Sequence, residues 1–206
     1  MLNLIKIIVL PLCFFIFSKN THAQTFEAGL IGGINLSQLN GDNLAGFNQI
    51  GLNVGGRVAV QTSERWRWNV DILFSQKGSN KGKDDPQSAP FDSYRLNYVE
   101  VPIMISFLDW LDQEDEREYY KLHFTAGFSV GQMVDFKVID VLGQDVSDLQ
   151  EFNKISVDLI VGATYFINPN IGINAQYSFA ALDVRKEKQA QSLAGRTLTF
   201  RTIYMF

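Results

Sequence analysis

Residues 49–61 read Gln-Ile-Gly-Leu-Asn-Val-Gly-Gly-Arg-Val-Ala-Val-Gln. Ile50, Leu52, Val54, Gly56, Val58 and Val60 share one parity, and Gln49, Gly51, Asn53, Gly55, Arg57, Ala59 and Gln61 share the other. Successive side chains of a strand point to opposite faces, so the stretch predicts a β-strand with one apolar and one polar face. Helical spacing does not fit it.

The same period recurs in both directions along the chain. Phe26, Ala28, Leu30, Gly32, Ile34 and Leu36 form one apolar set, and Trp66, Trp68, Val70, Ile72 and Phe74 another. Tyr120 to Val130, Ile155 to Tyr165 and Ile171 to Phe179 each alternate in the same way. In the last segment Leu198, Phe200, Tyr204 and Phe206 oppose Arg201. The fourth segment changes phase. Leu96 and Tyr98 hold one parity, whereas Val99, Val101, Ile103, Ile105 and Phe107 hold the other. A bulge between Tyr98 and Pro102 is expected there, with a ladder bond lost at the proline. These segments predict an all-β chain of eight antiparallel strands.

Alternation alone does not say which face is outside. A lipocalin-like barrel of eight strands points its apolar residues inward, and a membrane barrel points them outward. Four features favour the membrane. The segments are about ten residues long, enough for a tilted crossing. Their apolar faces carry almost no charge. Glycines crowd the polar face, as a narrow interior requires. Aromatics gather near segment ends (Trp66, Trp68, Tyr120, Tyr165, Tyr204, Phe206), where an interfacial girdle would sit.

The links obey the same scheme. Thr62-Ser63-Glu64 and Ile167 to Asn170 are short, whereas Gln38 to Asn48, Gly78 to Ser93, Val134 to Glu151 and Ala181 to Gly195 are long and polar. Short periplasmic turns and long outer loops are usual for such barrels. Asp109 to Glu118 departs from the rule as a longer acidic periplasmic turn.

The first 23 residues read separately. Lys6 precedes an apolar run from Ile7 to Phe17, and Thr21-His22-Ala23 supplies small residues where a signal peptidase cuts. The run is too short to span a bilayer. The domain expectation is therefore a signal peptide over 1–23 and one barrel domain over 24–206 of a Gram-negative outer membrane. Cleavage removes Lys6 and Lys19 and no acid, shifting the formal charge from −4 to −6, and it removes the only cysteine. His123 becomes the sole histidine. No basic block is present, so nucleic acid is not an expected partner.

Several stretches resemble a known family. Leu96-Asn97-Tyr98-Val99-Glu100-Val101-Pro102 is similar to the Y-x-E-x-P strand of the PorT-like outer-membrane barrels of the Bacteroidetes, often labelled a porin family. Gly29 to Ser37, Asn153 to Asp158 and the aromatic C-terminus are similar as well, although Ile155 and Val157 stand where the family often has aromatics. The resemblance implies an outer-membrane location. One branch of the family is tied to a protein-secretion and gliding system.

Glu27, Arg57, Arg65, Arg67, Asp71, Glu100, Lys121, Lys154, Asp158 and Arg201 all fall on the polar phase. Eight strands enclose an interior only wide enough for side chains, so these charges are expected to pair inside. Arg57, Asp71, Glu100, Asp158 and Arg201 should lie near mid-barrel. His123 should also point inward, away from the lipid face on or near which a lipid-modifying enzyme would hold its serine–histidine–acid set. Asp84, Asp85 and the acids of Asp109 to Glu118 match no calcium-loop spacing, so neither metal nor cofactor is expected.

The leading expectation is a non-enzymatic structural or interaction component of the outer membrane. The alternatives are an outer-membrane lipid-modifying enzyme and a narrow ion channel. Trp110, Asp112, Glu114, Asp115 and Glu116 form a candidate contact for a periplasmic or membrane protein. Tyr204 and Phe206 fit the C-terminal signal read by barrel-insertion machinery during assembly, and outer-membrane lipid is the remaining partner.

Overall fold

Outward side chains such as Phe26, Leu30, Ile50 and Ile72 are 57–68% exposed, whereas Asn35, Asp71 and Ser75 are fully buried. This is the reverse of a water-soluble barrel, and it excludes the lipocalin-like arrangement. The computed structural model describes residues 26–42, 44, 46–82, 91–113, 118–149, 151–185 and 193–206. The expected signal peptide lies outside the described residues.

Eight strands form the wall: β1 (Phe26–Asn40), β2 (Gln49–Ser63), β3 (Trp66–Asn80), β4 (Phe91–Asp112), β5 (Tyr119–Asp140), β6 (Ile155–Phe166), β7 (Ile171–Ala180) and β8 (Ala194–Met205). Each pairs antiparallel with the next, and β8 returns to β1 from Gly29↔Met205 to Asn40↔Ala194, closing the barrel. Closure leaves no sheet edge, which a lipid environment demands because it offers backbone groups no water. The apolar outward set covers about ten residues per strand. Tilted at about 45°, that length spans a band about 25 Å tall.

The wall can be this narrow because inward glycines admit neighbouring backbone. A Cβ on Gly55 would lie 2.0 Å from the Ile72 carbonyl oxygen, and one on Gly51 would lie 2.2 Å from that of Gln76. No side chain fits at either place.

Two sequence expectations need correction here. The β4 strand alternates without a break: Tyr94, Leu96, Tyr98, Glu100 and Met104 are all buried. The bulge sits instead on β5, where Asn97 pairs with Asp135 and Tyr98 with Met133, so that Val134 is the extra residue. The apparent phase change on β4 has a different cause. Leu96 and Tyr98 point inward into an apolar cluster with Leu39, Tyr94, Met133, Val138, Phe152, Val184 and Leu193. The ladder between β3 and β4 is interrupted between Val70↔Ile103 and Leu73↔Glu100, opposite Pro102, as the missing N–H predicts.

The second correction concerns length. β4 and β5 form a long hairpin of 22 residues per strand that outruns its neighbours at both ends. Residues read as outer loop (134–140) and as periplasmic turn (109–112) belong to it. The link between these strands shrinks to 113–118.

Candidate functional site

The interior is built around charge. Arg57 on β2 and Asp71 on β3 are cross-strand partners, and the guanidinium donates through Nε and Nη2 to both carboxylate oxygens at 2.7 and 2.9 Å. Arg201 on β8 reaches the same carboxylate at 3.5 Å, and it donates to Asn174 Oδ1 at 2.8 Å and Gln176 Oε1 at 2.6 Å on β7. A planar guanidinium with several donors suits this role, because each buried N–H needs an acceptor.

The second group centres on Lys77 of β3. Its ammonium bonds to Glu100 on β4 and to Asp158 on β6, the latter at 2.5 Å. Towards the end that carries the short turns, Arg67 pairs with Glu27. Within these pairs four cations meet four carboxylates, so these groups are electrically balanced among themselves. Neutral polar groups fill the remaining space. Asn35 donates to Ser75 Oγ and the Gln76 carbonyl, both at 2.9 Å, and accepts from Thr199 Oγ1 at 2.8 Å.

All five lumen residues expected from the sequence are thus buried and brought into these groups. Lys77 was missed. It shares the odd parity of Asp71 and Ser75, so continuing the alternation by one more step would have found it. Arg65 and Lys154, which parity had put on the inner face, are exposed at strand ends. Arg65 makes a 3.5 Å surface pair with Asp109.

Packing leaves little room between these groups. A void of about 20 Å³ touches Asn53, Glu100, Ser129, Asp158 and Arg201, and another of about 30 Å³ touches Lys77, Tyr98, Ser156 and Asp158. Each is sized for about one water.

The two mouths differ. At the loop end Phe152, Val184 and Leu193 cover the barrel, with Phe152 edge-on to Tyr94 and Phe136 at 6.4 and 5.0 Å. Asn153 ties the covering segments together by donating to the carbonyls of Asp183 and Arg185 at 2.8 and 3.1 Å. At the turn end a vestibule of about 750 Å³ opens, lined by Glu27, Arg67, Leu111, Tyr119, His123, Phe166 and Met205 among others.

His123 points inward as expected. Its Nε2 lies 3.1 Å from the Tyr120 carbonyl, and its ring sits 4.6 Å from that of Phe166, tilted by 40°. Trp110 stands at the turn end of β4 with φ of 58°, a left-handed conformation that is a genuine outlier for a bulky residue. Its ring meets Tyr165 edge-on at 6.3 Å and carries the Lys121 ammonium at 5.8 Å. Lys121 also pairs with Asp112 at 2.5 Å. Glu114, Asp115 and Glu116, along with Asp84 and Asp85, lie outside the described residues. Tyr204 and Phe206 stand on the outer face with rings 5.6 Å apart, edge to face.

No curated protein matches the chain. Among solved structures it is similar to Ail, the attachment invasion locus protein of Yersinia pestis, in complex with the heparin analogue sucrose octasulfate. Identity is 14% and the TM-score 0.46, over 88% of this chain and 99% of that one. It is also similar to Neisserial surface protein A, at 13% identity and a TM-score of 0.46, over 88% and 97% of the two chains. The family model of the outer membrane protein beta-barrel domain matches residues 20–183; the chain belongs to that family and resides in the bacterial outer membrane.

Proposed function

We propose that the chain is a non-enzymatic interaction component of the outer membrane, which engages a partner through its outer loops or periplasmic turns. One observation carries this reading. Among the described residues the lumen is filled by paired side chains, and the voids of about 20 and 30 Å³ between them are too small to pass a solute larger than water. Recognition is left to the two ends.

The resemblance of Leu96 to Pro102 to PorT-like barrels supports a finer version, in which the partner belongs to a secretion- or gliding-type assembly. Trp110 and Asp112 with the following acidic turn are the proposed periplasmic contact, and Tyr204 and Phe206 the proposed insertion signal.

Affinity capture of a tagged copy from gently solubilised native outer membrane tests the reading. Stoichiometric recovery of secretion or gliding components is expected. Recovery of the barrel alone, together with acyl-chain release from lipopolysaccharide by the purified protein, would overturn it in favour of a lipid-modifying enzyme.

A further inference from the structure

The barrel is covered at the loop end and open at the turn end. Anything that enters the 750 Å³ vestibule must therefore come from the periplasm and leave the same way. That volume lies within the range of sites for small ligands or short peptide segments.

Its lining has a definite charge. Glu27 is neutralised by Arg67 at the inner end. Glu64 and Glu118 also line the space, are exposed, and make no ion pair among the described residues. The vestibule thus holds two uncompensated carboxylates and no uncompensated cation among the residues that line it.

His123 supplies a second, independent indication. It is 7% exposed and lines the vestibule. Since a carbonyl oxygen only accepts, the Nε2 beside the Tyr120 carbonyl carries the proton, and in neutral imidazole Nδ1 is then an acceptor. Among the described residues Nδ1 has no partner. An acceptor set of this kind suits N–H donors. Tyr119, Tyr120 and Phe166 add aromatic faces, which attract cations.

We infer that the vestibule binds a lysine- or arginine-bearing segment of a periplasmic protein. An acidic segment would meet Glu64 and Glu118 as like charges. A purely apolar one would bury the Nδ1 of His123 without a donor and strip water from the Arg67–Glu27 pair, which is costly. The inference deepens the proposed interaction role and rests on it.

The test uses the full barrel in nanodiscs and two blocked pentapeptides, Lys-Ala-Lys-Ala-Lys and Glu-Ala-Glu-Ala-Glu. The lysine peptide is expected to shift the methyl resonances of Leu108, Leu111 and Met205, leaving Leu39, Val184 and Leu193 at the covered end unmoved. The glutamate peptide should shift neither set. The double variant Glu64→Gln/Glu118→Gln, altered only at exposed positions and so expected to fold, should bind the lysine peptide about fivefold more weakly, given the modest strength of exposed ion pairs.

Unmoved vestibule methyls, or equal affinity in the double variant, would overturn the inference. The capture experiment fails separately. A secretion partner that still co-purifies with the double variant would leave the interaction role standing and remove the vestibule from it.

Discussion

The ammonium of Lys77 lies 2.5 Å from Oδ2 of Asp158, although these residues sit on β3 and β6, which share no ladder. Lys77 also holds Glu100 on β4. One cation therefore ties three strands together across the lumen, where hydrogen bonds within the wall cannot reach. The Arg57–Asp71–Arg201 group does the same for β2, β3 and β8, with Asn174 and Gln176 extending it to β7.

Lys77→Met should leave Glu100 and Asp158 buried together without their shared cation. Removing one partner from a buried pair costs about 3–5 kcal/mol. Urea unfolding in lipid bilayers or micelles measures the loss. Adding Glu100→Gln and Asp158→Asn to the lysine variant should restore a large part of it, because the cost comes from unpaired charge more than from the missing attraction.

Asp71→Asn tests the opposite sign. Arg57 and Arg201 would then face each other with no carboxylate between them, and about 3 kcal/mol should be lost. Arg57→Gln in the same background should recover stability, whereas a change at exposed Arg65 should not.

Two glycines separate wall geometry from composition. Gly55→Ala would place a methyl 2.0 Å from the Ile72 carbonyl oxygen, so backbone must move, at a cost of about 3 kcal/mol. Gly32 has nothing within 4 Å of such a methyl. Gly32→Ala should be neutral or slightly stabilising in the same unfolding assay.

Much of this architecture is legible as parity. Arg57, Asp71, Glu100, Asp158 and Arg201 fall where alternation puts them, because in a closed wall the period of two directly separates lipid from lumen. The reading fails where another force takes over. Lys77 precedes Gly78, a glycine with φ of 149°, and the run of polar residues beyond it resembles a loop. Val134 adds one residue to β5 and inverts its phase, so Phe136 and Val138 share the inner face with His123 and Ser129 although their parity is opposite. Leu96 and Tyr98 mislead because the upper lumen is apolar. Its covering residues Phe152, Val184 and Leu193 come from segments without any period. The vestibule is invisible for the same reason, being assembled from turn residues and strand ends.

Purified barrel in planar bilayers should show no steady open channels. Lys77 and Asp158 border both small voids, with Tyr98 lining one and Arg201 the other. Frequent long-lived openings in the native sequence would restore the ion-channel alternative. If Lys77→Met alone produced them, the Lys77–Glu100–Asp158 group would be identified as the element that seals the bore.

Phe206 allows assembly to be separated from stability. Its backbone N–H donates to the Ala28 carbonyl at 2.9 Å, helping to close the seam between β8 and β1. Its ring is 67% exposed on the outer face, against Tyr204. Deleting the residue would remove both features, so substitution is the cleaner probe. Phe206→Leu keeps the backbone bond and an apolar side chain at the lipid boundary, so the stability of the folded barrel should stay within about 0.5 kcal/mol. If the ring belongs to the proposed insertion signal, insertion assisted by the barrel-assembly machinery in proteoliposomes should slow markedly, while unassisted folding into detergent keeps its rate. Equal slowing of both would make the ring a folding element, and unchanged assisted insertion would refute the assignment.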